Sequence, residues 1–114
     1  MRLRLTADIL EGAYIYLAHT DPFRSWKMPH EDVVGFHVIF KSDFSGSYQF
    51  INGVHTIKIH ARRNNTTDVL HATMAHEMIH LRQELLGHRD HHGPRFHRMA
   101  RRVCGVHGFS LEDF

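Results

Sequence analysis

The chain has almost no cysteine. Cys104 is the only one, which excludes an internal disulfide and any zinc ribbon built from paired Cys-x-x-Cys turns. Proline is scarce as well, at three residues, so Pro22, Pro29 and Pro94 act as punctuation and leave long uninterrupted segments between them. Charge of one sign is not in excess: the formal net charge is +2 with histidines neutral, too little to mark a nucleic-acid binder. No apolar run approaches the ~18 residues of a membrane span. The opening Met1-Arg2-Leu3-Arg4-Leu5 lacks the continuous apolar segment of a signal peptide, so the expectation is cytoplasmic residence without a membrane. What remains, 114 residues with 42% hydrophobic and 23% charged side chains, fits one globular domain over 1–114 with a single modest core, expected as a monomer.

Histidine is the residue in excess, at 13. Two of them frame His76-Glu77-Met78-Ile79-His80. Histidines four apart on a helix project from the same face, one turn above the other, and can reach one Zn²⁺, with the intervening glutamate placed to act on a water there. A shuffled chain with 13 His and 5 Glu would contain this pattern by chance with a probability of roughly 6%. The surroundings therefore decide.

Thr6 is a candidate N-cap, and Ile9, Leu10, Ala13, Tyr14 and Leu17 recur at helical spacing to about Ala18. Asp21-Pro22 and Met28-Pro29 bracket a stretch that reads as a loop, with Phe23 and Trp26 packing over the core. Residues 33–40 are apolar and rich in β-branched or aromatic types, as in a covered strand. Residues 48–51 and 54–60 flank Asn52-Gly53, a dipeptide suited to a type I′ hairpin. Together these give a small antiparallel sheet of about three strands. Thr66 or Thr67 caps the next helix. Leu70, Met74, Met78, Leu81 and Leu85 make its apolar stripe, Val69, Ala72, Ala75, Ile79 and Leu86 widen it, and Gly87 ends it. The motif falls in the middle of this buried helix. Gly93-Pro94 starts a last helix carrying Phe96, Met99, Ala100 and Val103 on its apolar face, which ends at Gly105 to Gly108.

Catalytic zinc sites take three protein ligands. The metzincin spacing would need Gly at 83 and His at 86, where Gln83 and Leu86 stand, so that class is excluded. Glu84 lies a turn too far along the same helix, and Glu112 is a tail residue with nothing to support it. The loop with His88, His91 and His92 follows directly and can fold back over the motif face, with His92 best placed just before the Gly-Pro helix start.

The chain here resembles the SprT-like zinc metallopeptidase family, whose signature is HExxH followed by a downstream HGxxF, matched by His92-Gly93-Pro94-Arg95-Phe96. The resemblance covers roughly 54–103 and implies zinc on His76, His80 and His92, with Glu77 in the catalytic position. It implies a compact α+β fold, a small zincin-like core of minimal gluzincin type. That core holds an N-terminal helix, the sheet, the motif helix and a C-terminal helix, and no zinc ribbon lies within the 114 residues. The strand over 54–60 would be the edge that receives an extended protein or peptide substrate.

The expected chemistry is zinc-dependent peptide-bond hydrolysis by an endopeptidase using one Zn²⁺ ion, with Glu77 as general base and then general acid. The oxyanion donor is open among His88, His91 and His97, and Asp90 is a candidate to orient a ligand imidazole. The alternative is a non-hydrolytic zinc-binding module that holds a protein or nucleoprotein partner; the carboxylate of Glu77, superfluous in a pure binding site, favours hydrolysis. Arg95, Arg98 and Arg102 fall at i, i+3 and i+7, a basic stripe that reads either as a solvated face or as a polyanion contact for weak DNA or nucleoprotein association.

Overall fold

A computed structural model describes residues 3–114; Met1 and Arg2 lie outside it. Helix α1, Ala7–Ala18, starts where the Thr6 hydroxyl accepts from the Ile9 N–H at 3.2 Å, and it buries Leu10, Ala13, Tyr14 and Leu17. The stretch read as a loop holds a short helix α2, Phe23–Trp26, and a 3₁₀ turn, Glu31–Val33. Phe23 is fully buried and Trp26 packs on the core. Its carbonyl accepts from the Arg82 guanidinium at 3.0 Å, which fastens α2 to the motif helix.

Three strands follow: β1, Val34–Ile39; β2, Gly46–Ile51; and β3, Val54–His60. Their spatial order is β1-β3-β2. Asn52 and Gly53 take positive φ of 50° and 80° between β2 and β3, as the hairpin dipeptide demands. The sheet is nonetheless mixed, not antiparallel, because β1 pairs with β3 in parallel, Phe36 opposite Ile57. The segment after β1 crosses the end of the sheet and leaves a central slot. β3 fills that slot because Ile57 and Ile59 have no exposed surface, while β2 ends in the exposed Phe50 and Ile51. β3 is therefore paired on both sides and offers no free edge. The expectation that 54–60 receives a substrate strand is corrected: the open edge beside the motif helix belongs to β2.

Helix α3, Thr67–Leu86, packs on β2, on α1 and on helix α4, Pro94–His107. Leu70, Met74, Ala75, Met78, Ile79 and Leu81 are buried along it. Gly87 ends it with φ 72°; its N–H donates to the Glu84 carbonyl at 3.2 Å, and the His88 N–H to the Gln83 carbonyl at 2.9 Å. α4 buries Phe96, Ala100, Val103 and Cys104, and after Gly108 the tail turns back so that Phe109 and Phe114 pack on the core. The architecture is a small α+β core of zincin-like form, a helix-flanked three-stranded mixed sheet. No helix among the described residues is long and apolar enough to cross a membrane.

Candidate metal centre

His76 and His80 occupy successive turns of α3, and His92 returns to them from the loop before α4. Their Nε2 atoms converge: His76 to His80 is 3.2 Å, His80 to His92 3.1 Å and His92 to His76 3.4 Å. The outer nitrogens fix what those contacts are. His76 Nδ1 donates to the main-chain oxygen of Phe114 at 3.0 Å, and His80 Nδ1 donates to Oε1 of Gln83 at 2.8 Å. Both rings therefore carry their proton on Nδ1, and their Nε2 lone pairs face each other with no hydrogen between them. Those two lone pairs repel unless a positive centre lies between them, either the hydrogen of a His92 Nε2–H or a cation shared by all three nitrogens. A tetrahedral zinc ion about 2.05 Å from each nitrogen would hold them about 3.3 Å apart, so the triangle has the right size for one. Among the described residues, His76, His80 and His92 are the group placed to hold a metal ion.

Phe96 is the floor of this triangle. Its ring is 3% exposed and lies 4.9 Å from that of His76, 5.0 Å from His80 and 4.9 Å from His92. The HGxxF spacing thus sends one residue into the triangle and places the other beside all three imidazoles. Burial pushes the His76 and His80 pKa down to about 4, so both are neutral at ordinary pH, the form that can bind a metal. Burial pushes Glu77 the other way, up to about 8 in the metal-free protein.

Glu77 is 5% exposed and lines a cavity of about 560 Å³ together with Gly46, Thr73, His76, Phe109 and Phe114. A second hollow of about 310 Å³ lies beyond His80, walled by Tyr48, Phe50, Glu84, His88 and His91. The two flank the histidine triangle along β2. The Asn64 amide, buried behind the sheet, donates to the carbonyls of Ser45 at 2.9 Å and His60 at 2.8 Å and so fixes where β2 begins. A methyl group at Gly46 would lie 2.9 Å from Thr73 Cγ2, closer than a side chain permits, and 3.2 Å from Glu77 Oε2, tight enough that the carboxylate would have to give.

The other sequence-derived candidates are spread around the centre. His91 lies 5.9 Å ring to ring from His80, and with His88 it lines the second hollow. His97 is exposed on α4, its ring 5.8 Å from Phe96. Asp90 meets the site through its main chain: its carbonyl accepts from Gln83 Nε2 at 3.2 Å and from the Gly93 N–H at 3.1 Å. The outer partners of the ligand rings are Gln83 and Phe114, which the sequence reading did not assign. Gln83 was open to discovery as a polar residue on a buried stripe three places after His80; Phe114, 38 residues from its partner, carried no signal. Arg95, Arg98 and Arg102 are exposed on α4, and none has a carboxylate within 4.0 Å among the described residues.

Fold and site together define a class: a small α+β protein with an HExxH helix and a third histidine delivered by the next helix's entrance. The family model of the SprT-like family matches residues 19–113, and the chain belongs to that family. No curated protein matches the sequence.

Proposed function

We propose that this protein is a zinc endopeptidase that cleaves extended segments of protein or peptide substrates, with cytoplasmic residence as part of that reading. The observation that carries it is the convergence of three imidazole nitrogens, 3.1–3.4 Å apart, beside a buried carboxylate that lines an open cavity. His76, His80 and His92 would hold the ion, which when bound polarises a carbonyl and acidifies water. Glu77 does the proton work: its carboxylate takes a proton from the attacking water and returns it to the departing amine. Burial raises the proton affinity of that carboxylate in the metal-free protein, and a dication bound beside it would lower it again.

β2 orients the substrate. The His60 N–H donates to the Ser45 carbonyl at 2.9 Å, so Ser45 and His60 form a hydrogen-bonded pair of the antiparallel ladder. Pairs alternate from there, which turns the main-chain groups of Gly46, Tyr48 and Phe50 away from β3 towards the open edge. An extended chain pairing with that edge would pass Glu77 and the three histidines, its side chains entering the two hollows alternately with solvent. The unpaired arginines of α4 support a further part of the reading, weak association with DNA or nucleoprotein; affinity that falls steeply with salt would register it, and no retention at low salt would remove it.

The experiment is metal analysis coupled to casein cleavage. One zinc per chain is expected, with cleavage lost on chelation and regained when zinc is returned. Stoichiometric zinc with no cleavage of any unfolded substrate would favour the non-hydrolytic module that holds a partner instead.

A further inference from the structure

Gln83 has no role in the chemistry above, yet it is 1% exposed in the last turns of the motif helix. A buried carboxamide with unmet hydrogen bonds is costly, so its partners say what it is for. Its Oε1 accepts from His80 Nδ1 at 2.8 Å, and its Nε2 donates to the Asp90 carbonyl at 3.2 Å. That carbonyl also accepts from the Gly93 N–H at 3.1 Å, which closes a four-residue turn whose third member is His92. The main-chain oxygen of Gln83 receives the His88 N–H at 2.9 Å, at the point where the chain leaves the helix. One residue thus holds the second histidine, the exit of the loop and the turn that presents the third histidine.

We infer that Gln83 is a positioning residue for the metal centre: its amide fixes the ring of His80 and clamps the 90–93 turn, so that the Nε2 atoms of His80 and His92 meet before any cation arrives. The acceptor on Nδ1 sets the tautomer and the rotation of the imidazole, a constraint that typically governs metal affinity by 10–100-fold. The donor on the Asp90 carbonyl removes freedom from a loop that would otherwise have to be ordered on binding. Packing does not require an amide here, because a thioether of the same length would fill the volume without the desolvation cost. The inference rests on the zinc reading for its purpose, but the two hydrogen bonds can be tested without metal.

The test uses the full chain, wild type, Gln83→Met and Gln83→Glu. In metal-free wild type, the Gln83 side-chain amide protons and the Gly93 amide are expected to exchange slowly, and ¹⁵N shifts of the His80 ring to report the Nδ1–H tautomer. Gln83→Met is expected to keep a cooperative melt, to weaken zinc binding about 10–100-fold in chelator competition, to alter the Co²⁺ absorption bands and to expose the Gly93 amide. Gln83→Glu keeps an acceptor for His80 but sets an oxygen against the Asp90 carbonyl. Its Gly93 amide should exchange as fast as in Gln83→Met, with a smaller loss of zinc affinity. Zinc affinity of Gln83→Met within twofold of wild type, with unchanged Gly93 exchange, would overturn the inference. So would a freely exchanging Gln83 amide in the folded wild type, a readout that holds even where the variants do not fold. A wild type that binds no zinc, with the Gln83 amide protected, would instead count against the proposed function.

Discussion

Glu77 has only its burial to set its affinity for a proton, and the two flanking histidines answer the same burial with the opposite shift. The consequence is a signed pH dependence for the metal-free protein. Between pH 4 and 6.5 the unfolded chain protonates His76 and His80 while the folded chain does not, so those two groups add stability as pH rises and lose it as pH falls through that window. Between pH 4.5 and 8 the folded chain keeps a proton on Glu77 that the unfolded chain has released, so this group removes stability as pH rises. Two histidines outweigh one glutamate up to about pH 6.5, and above it only the glutamate acts. Thermal melts of the metal-free protein should show the Glu77→Gln variant gaining on wild type from pH 6.5 to 8; parallel curves would show that Glu77 titrates normally. The residues of this site were legible in the sequence to the extent that they share a helix or a short loop. His76 and His80 follow from helical period and His92 from its place before Gly93-Pro94. Phe114 does not, because a carbonyl that meets His76 across 38 residues leaves no trace in composition or spacing.

At the level of elements, helix ends and the hairpin were readable because their signals are local: the Thr6 cap, Asn52-Gly53 and Gly87 each act within a few residues. The strand order was not. Whether β2 or β3 lies at the open edge beside the motif helix depends on which strand fills the slot left by the crossing segment, and that is decided by burying Ile57 and Ile59 between two neighbours. Neighbouring strands in sequence suggested an antiparallel meander, and the parallel pairing of Val34 with His55 shows otherwise. The structure adds Gly46, where the edge strand comes against the Glu77 carboxylate. Gly46→Ala should leave zinc stoichiometry intact while cutting casein cleavage by about tenfold or more, on the scale expected when a general base is moved from its place. Since the closest clash is with Thr73 Cγ2, the double variant Gly46→Ala/Thr73→Ser should recover part of the rate. Full activity in Gly46→Ala would mean that the strand start can shift without disturbing Glu77.

The whole molecule is small, and its core of α1, α3, β3 and α4 side chains surrounds a site where the Nε2 lone pairs of His76 and His80 face each other. Metal and fold are therefore coupled. A ligand held only by the native state at a hundred times its dissociation constant adds about 2.7 kcal/mol. For a chain of this length that is roughly a 10 °C rise in melting temperature. Chelation should lower the melting point of the zinc-loaded protein by that order, and His92→Ala should melt at the same temperature with or without chelator. A chelator-independent melt of the wild type would mean that the histidine triangle holds no cation. The central claim, that Glu77 beside the three histidines makes this a hydrolase, is tested most directly by casein cleavage with zinc-loaded wild type and zinc-loaded Glu77→Gln side by side. The expected result is cleavage by the wild type and, at equal zinc content, a loss of at least about a hundredfold in the variant; equal cleavage by the two proteins would contradict it.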